Sequence, residues 1–305
     1  MFTVALTNVL VTLLYILPGY LACRFRLAKA EHLPTLSGLL IYVCGPCMLV
    51  SAVLRLDFTW SGLADMGLFL LVSLLLQTLF MLLLFAVFRR PEAKYRIFAV
   101  ASVMGNVGFF GLPIIRILLP DNPEVAAYSA AYAVSMNILL FTVGVFGLTG
   151  KRQTISLRAA LINPTVLSFT FGVVLYTVHA GDWLPAPLVS AAALLGDLTT
   201  PLCMIILGIR LATIPLTRLI SRPLVYGISA AKLLLYPAFV WLVTLALPLP
   251  TAFEAALVVL SATPCAAAIQ SMAEIHKSET ELSANCVMVS TLLCFLTIPL
   301  VTLLL

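Results

Sequence analysis

Apolar stretches of about 20 residues, the length that crosses roughly 30 Å of hydrocarbon, recur ten times along this chain. They run at about 3–23, 33–54, 64–88, 95–119, 125–149, 156–179, 188–211, 223–247, 252–273 and 281–304. That pattern admits few folds. With no water in a bilayer core to satisfy exposed backbone, only helices and closed barrels can span it, and segments this long read as helices. Of the 305 residues, 62% are hydrophobic and 10% are charged, with a mean hydropathy of +1.14. A water-facing surface needs about a quarter charged residues. The expected class is an all-α integral membrane protein of ten transmembrane helices, in contact with the lipid bilayer. Almost nothing lies outside the ten segments, so the function is expected within the bundle. The net charge of +5 is then a matter of placement and points to no nucleic acid.

Placement sets an expected orientation. The connections after segments one, three, five, seven and nine carry Arg24, Arg26, Lys29, Arg89, Arg90, Lys94, Arg96, Lys151, Arg152, Arg158, Arg210, Arg218, Arg222 and Lys277. The opposite side has Arg55 and Arg116. Basic loops stay in the cytoplasm, which predicts a multi-pass plasma membrane (cell inner membrane) protein with both termini outside. The first segment has no basic residue ahead of it and three just after it, the reverse of a signal peptide, and reads as a retained helix.

Two segments are interrupted. Gly105-Asn106-Val107-Gly108-Phe109-Phe110-Gly111-Leu112-Pro113 puts glycines at every third position and a proline at membrane depth, and such a stretch will not hold a regular helix. Ser261-Ala262-Thr263-Pro264-Cys265 interrupts segment nine. Irregular backbone at that depth survives only where it is buried in protein or lines a cavity. Paired interruptions in corresponding positions of two half-chains mark the binding site of a transporter.

The halves correspond in further ways. Pro46 and Arg55 in segment two match Pro201 and Arg210 in segment seven at a common offset of 155. Ser135-Met136-Asn137 in segment five is echoed by Ser283-Ala284-Asn285 in segment ten, and Asn8 with Pro18-Gly19 more weakly by Asn163-Pro164 and Gly172. Five helices per copy force an inverted arrangement, since the second copy starts on the other side. The expectation is two repeats, 1–150 and 151–305, with helices four and nine broken and crossed.

Each break leaves a half-helix N-terminus with unpaired N–H groups and partial positive charge, a ready site for a carboxylate or phosphate. The expected ligand is therefore a small organic anion or a molecule with an anionic group. Asn106, Gly108, Gly111 and Thr263 of the breaks, with Asn137 and Asn285, are the candidate substrate-binding residues, and Pro113 and Pro264 the crossover residues. Charges within spans are functional candidates by default; Asp197 and Lys232 are the two here, either as a structural ion pair or as coupling and anion-sensing groups. Gln77, related to Lys232 by the 155 offset, is a further cavity candidate.

Other chemistry has no pattern to stand on. His32, His179 and His276 lie apart, and the seven cysteines are scattered without metal-ligand spacing, so neither metal nor cofactor is expected. No metalloprotease, triad or nucleotide-loop motif occurs. An enzyme is not expected, and transport would be secondary or passive. A channel-like or sensory membrane protein is the reading from a different class.

The Gly-Asn-x-Gly-x-x-Gly-x-Pro element at 105–113, Asn137 followed by Gly144, Asn163-Pro164, Thr200-Pro201-Leu202 and Thr263-Pro264 resemble the auxin efflux carrier family. The likeness is closest to its short bacterial malonate- or malate-type permeases, since only about six residues (150–155) separate segments five and six. The resemblance implies the inverted-repeat fold of bile-acid symporters and sodium/proton antiporters. Helices 1, 2, 6 and 7 would form a scaffold and homodimer interface, and helices 3–5 and 8–10 a transport domain moving as an elevator. It carries Asn106, Pro113 and Pro264 onto the crossover and Asn137 onto a substrate contact. Proton coupling, sodium coupling and uniport all remain open.

Overall fold

The computed structural model describes residues 1–88, 92–213 and 222–305. Arg89, Arg90 and Arg218 of the basic loops lie outside the described residues, as does the side chain of Arg152. Among the described residues the regular elements are all helices, and each of the ten apolar segments is helical. Seven are long and apolar enough to cross a membrane: α1 (Phe2–Arg24), α2 (Ala30–Leu54), α3 (Trp60–Val87), α5 (Val125–Thr149), α7 (Ala186–Thr213), α8 (Pro223–Thr244) and α10 (Thr280–Leu304). The other three segments hold shorter apolar helices: α4b (Val107–Leu118), α6 (Pro164–Thr177) and α9a (Thr251–Ser261). Segment four begins with α4a (Ala93–Ala101), and segment nine ends with α9b (Ala267–Ile275).

The shorter helices have local causes. In segment six the chain steps out of helix at Ile162 and restarts at Pro164, with the Asn163 side chain accepting from Val166 N–H at 3.1 Å. An asparagine N-cap followed by proline at the first helical position is a start signal, so the expected single helix over 156–179 divides there. Four segments also widen into a π-helical turn, at Leu40–Cys44, Val107–Gly111, Leu140–Gly144 and Ala231–Leu235. Three of these turns run straight into a proline: Pro46, Pro113 and Pro237. Proline lacks an N–H, and its ring collides with the carbonyl four residues back. The wider turn absorbs that collision without ending the helix.

Two kinds of contact hold the bundle. Helix α1 lies along α7 and also against α10, and α2 lies against α6 and α7; α3 runs along α5, and α8 against α10. In the first group the backbones nearly touch. A Cβ on Gly19 would lie 2.1 Å from the carbonyl oxygen of Ile205, and one on Gly208 would lie 2.1 Å from that of Ile16. In lipid, helices associate through such close small-residue contacts because burying apolar surface gains nothing over the acyl chains. The second group is held by aromatics. The Phe69 ring lies 4.6 Å from Tyr128 and 4.7 Å from Phe253, joining α3, α5 and α9a. The Tyr132 and Tyr236 hydroxyls hydrogen-bond at 2.8 Å, tying α5 to α8.

Gly208→Ala should lower the thermal unfolding midpoint of the purified protein, at an overpacking cost of roughly 1–3 kcal/mol. Gly38→Ala, where an added Cβ meets nothing within 4 Å, should leave it unchanged or raise it slightly. Equal midpoints for the two variants would show that α1 and α7 are not in backbone contact.

Candidate functional site at the crossing of the two breaks

Helix α4a stops at Ala101 and α9a at Ser261, and after a short turn each chain leaves the helical path. The two non-helical pieces meet back to back. Gly105 stands opposite Cys265 in an isolated antiparallel bridge. Asn106 N–H donates to Pro264 C=O at 2.7 Å, and Ala266 N–H donates to Met104 C=O at 3.0 Å. Only glycine fits at the bridge, since a Cβ on Gly105 would lie 2.4 Å from Thr263 Oγ1 and 3.1 Å from Lys232 Nζ. The chains thus cross at Gly105 and Pro264, while Pro113 lies further along, within α4b.

Four neighbouring helices each satisfy one more backbone group of the breaks, as burial at this depth favours. Ser129 of α5 donates to Val107 C=O at 3.3 Å, and Thr200 of α7 to Phe109 C=O at 2.7 Å. Cys265 N–H donates to Ser290 Oγ of α10 at 2.9 Å. Lys232 of α8, fully buried, donates from Nζ to Ser261 C=O at the end of α9a and stands 5.0 Å over the Tyr236 ring. A cation at a helix C-terminus is where the dipole favours one.

What stays open is the start of each second half-helix. Asn106 C=O is taken by Phe110 and Gly111 N–H, and Ala266 C=O by Ile269 N–H. The N–H groups of Val107, Gly108 and Phe109, and those of Ala267 and Ala268, have no partner among the described residues. Gly108, Phe109, Ala267 and Ala268 are half-buried. Asn106 stands at the N-terminus of α4b, 8% exposed, its Nδ2 only 3.8 Å from the weak acceptor Cys203 Sγ. Its amide is lightly held.

The remaining candidates divide. Thr263 packs on Gly105 and Gly111 while its hydroxyl donates to Leu260 C=O at 2.7 Å. Gly108 faces Met48 of α2. Gln77 is buried between α3 and α5, donating to Ser135 Oγ at 2.7 Å, while its Oε1 has no partner among the described residues. Asn137 bonds back to Ala133 C=O of its own helix at 2.8 Å, and Asn285 is buried in α10. The ion-pair reading of Asp197 and Lys232 fails in this conformation. Lys232 is at the crossing, whereas Asp197 lines an open cavity with Pro113 and Arg116, and no ion pair joins Asp197 to Lys232.

The family described as membrane transport protein matches residues 4–157 and 149–302. The chain belongs to that family, the auxin efflux carrier family. An uncharacterized transporter of Methanocaldococcus jannaschii is 22% identical over 299 residues, covering 96% of each chain. The protein is thus a multi-pass membrane transporter, and the resemblance carried by Gly105–Pro113 holds. Within this transporter, sequence reasoning missed Thr200, Ser290 and Arg116. Thr200 had a signal, since it precedes the Pro201 matched to Pro46; Ser290 had none, one hydroxyl among many on an apolar helix.

Gly105→Ala should disrupt the crossing and cut transport at least tenfold, and adding Thr263→Ala should recover part of it by removing the nearest obstructing atom. Uptake by both variants in proteoliposomes, normalised to inserted protein, checks this. A fully active Gly105→Ala would mean the bridge is not needed.

Proposed function

We propose that the protein is a secondary carrier of small organic anions, carboxylates foremost, that binds its substrate at the crossing. The observation that carries this reading is the antiparallel bridge of Gly105 and Cys265. It holds two half-helix N-termini with free N–H groups in one region, where a carboxylate is stabilised without a fixed counter-ion. Asn106, at the mouth of α4b and weakly engaged, orients the substrate.

The same reading has ten membrane crossings arranged as two inverted repeats, 1–150 and 151–305. Packing supports it. Gly19 of α1 meets Ile205 of α7, and Gly172 of α6 meets Val50 of α2, so each repeat's first helix packs on the other's second. Val50 and Ile205 are 155 apart, the offset of Pro46 and Pro201. Helices α1, α2, α6 and α7 act as the scaffold, dimeric in the membrane. Helices α3–α5 and α8–α10 move against it with the bound substrate, in an elevator-like alternating access. The basic loops face the cytoplasm of the plasma membrane and both termini lie outside. Lys232 already supplies a cation at the carbonyl end of α9a, which favours uniport or proton coupling over sodium symport.

Radiolabelled carboxylate uptake should saturate, show counterflow, and persist without sodium; flux without saturation or trans-stimulation would indicate a channel. Asn106→Ala should reduce uptake at least tenfold, the scale of losing a hydrogen bond of about 1.5 kcal/mol to a charged group, with insertion intact. Near-normal uptake would remove Asn106 from the site.

A further inference from the structure

A second feature lies beside the crossing. An open cavity of about 280 Å³ lies between α1, α4b and α7 and is lined in part by Asn8, Thr12, Pro113, Arg116, Asp197 and Thr200. Its volume is just under the roughly 300–1,000 Å³ of pockets for drug-sized ligands, so its occupant is small. Three of the neutral polar side chains are hydrogen-bonded to backbone. Asn8 Nδ2 donates to Val4 C=O at 2.8 Å, Thr12 Oγ1 to Asn8 C=O at 2.8 Å, and Thr200 Oγ1 to Phe109 C=O at 2.7 Å. Tyr15 adds a phenol to the wall, and the two charged groups are the half-buried guanidinium of Arg116 and the exposed carboxylate of Asp197.

These charges have not found each other. Both line one cavity, yet neither is within ion-pair distance of the other or of any other charged partner among the described residues. Opposite charges that line one cavity without forming an ion pair each attract a ligand group of the opposite kind. The guanidinium fork matches a carboxylate with two parallel N–H···O bonds. An ionised aspartate is acceptor-only and asks for a donor. The cavity also adjoins the crossing, because Thr200 on its wall holds the Phe109 carbonyl at the start of α4b.

We propose that this cavity is an outer selection site for carboxylates that carry a second, proton-donating group, a hydroxyl or an ammonium. Arg116 takes the carboxylate and Asp197 takes the donor. A dicarboxylate sets its second carboxylate against Asp197 and is disfavoured. This inference rests on the carrier reading for its context, but it makes a separate demand on selectivity.

The test uses purified full-length protein in nanodiscs carrying Asn106→Ala, so that binding at the crossing does not mask the cavity. The readout is the concentration of each probe that half-maximally raises the unfolding temperature. Lactate and alanine should act at about tenfold lower concentration than propionate or malonate, the scale of one charge-assisted hydrogen bond. Arg116→Gln should raise the lactate and alanine values about tenfold, and Arg116→Lys, which keeps the charge and loses the fork, by less. Asp197→Asn should abolish the preference over malonate. The inference is overturned if malonate matches lactate and alanine, if no probe stabilises the protein, or if Asp197→Asn shifts every probe alike, as a mutual Arg116–Asp197 gate would. Failure of the carrier reading looks different: Asn106→Ala would transport normally while the Asp197-dependent preference persisted.

Discussion

Two backbone hydrogen bonds, Asn106 N–H to Pro264 C=O and Ala266 N–H to Met104 C=O, let this bundle contain two interrupted segments at once. A helix that stops inside a membrane strands its last carbonyls and the first amides of the next half-helix, at a cost of roughly 1–3 kcal/mol for each buried group left unpaired. One break alone would have to find all its partners among side chains. Two breaks laid antiparallel satisfy each other at the centre, and Ser129, Thr200, Ser290 and Lys232 complete the flanks. Glycine at 105 is what lets the chains approach, because any Cβ there would run into Thr263. The pairing leaves over the amides at the heads of α4b and α9b, which have no partner among the described residues and are where we propose that the substrate binds.

Much of the architecture was legible in the residues because membranes impose coarse rules. Ten apolar segments, the two interruptions and the family followed from segment length, glycine and proline spacing and the motif at 105–113. The division of segment six at Asn163-Pro164 was legible too, as a capping signal, but was read instead as an echo of Asn8 and Pro18. Pro113 shows the limit of reading breaks from proline alone. Its cost is absorbed by a π-helical turn, and the chain crosses earlier, at the glycine.

Side-chain partnerships were less legible, for a physical reason. Depth along a helix can be counted from sequence, but direction around it cannot be fixed when every face is apolar. Lys232 and Asp197 sit at similar counted depths and invited pairing. Lys232 instead points to a helix-end carbonyl, and Asp197 faces a cavity shared with Arg116. Arg116 itself looked like a loop charge, because α4b is short enough to bring its end close to the recess. Asn137 turned back on its own helix, the usual local alternative for a polar side chain among apolar neighbours.

The central claim is that the heads of α4b and α9b bind one carboxylate together. Amide hydrogen exchange on the protein in nanodiscs, with and without a transported carboxylate, tests it most directly. Exchange at residues 107–109 and 267–268 should slow in concert as the carboxylate is added. Slowing at one break only, or at neither while transport continues, would contradict a shared site at the crossing.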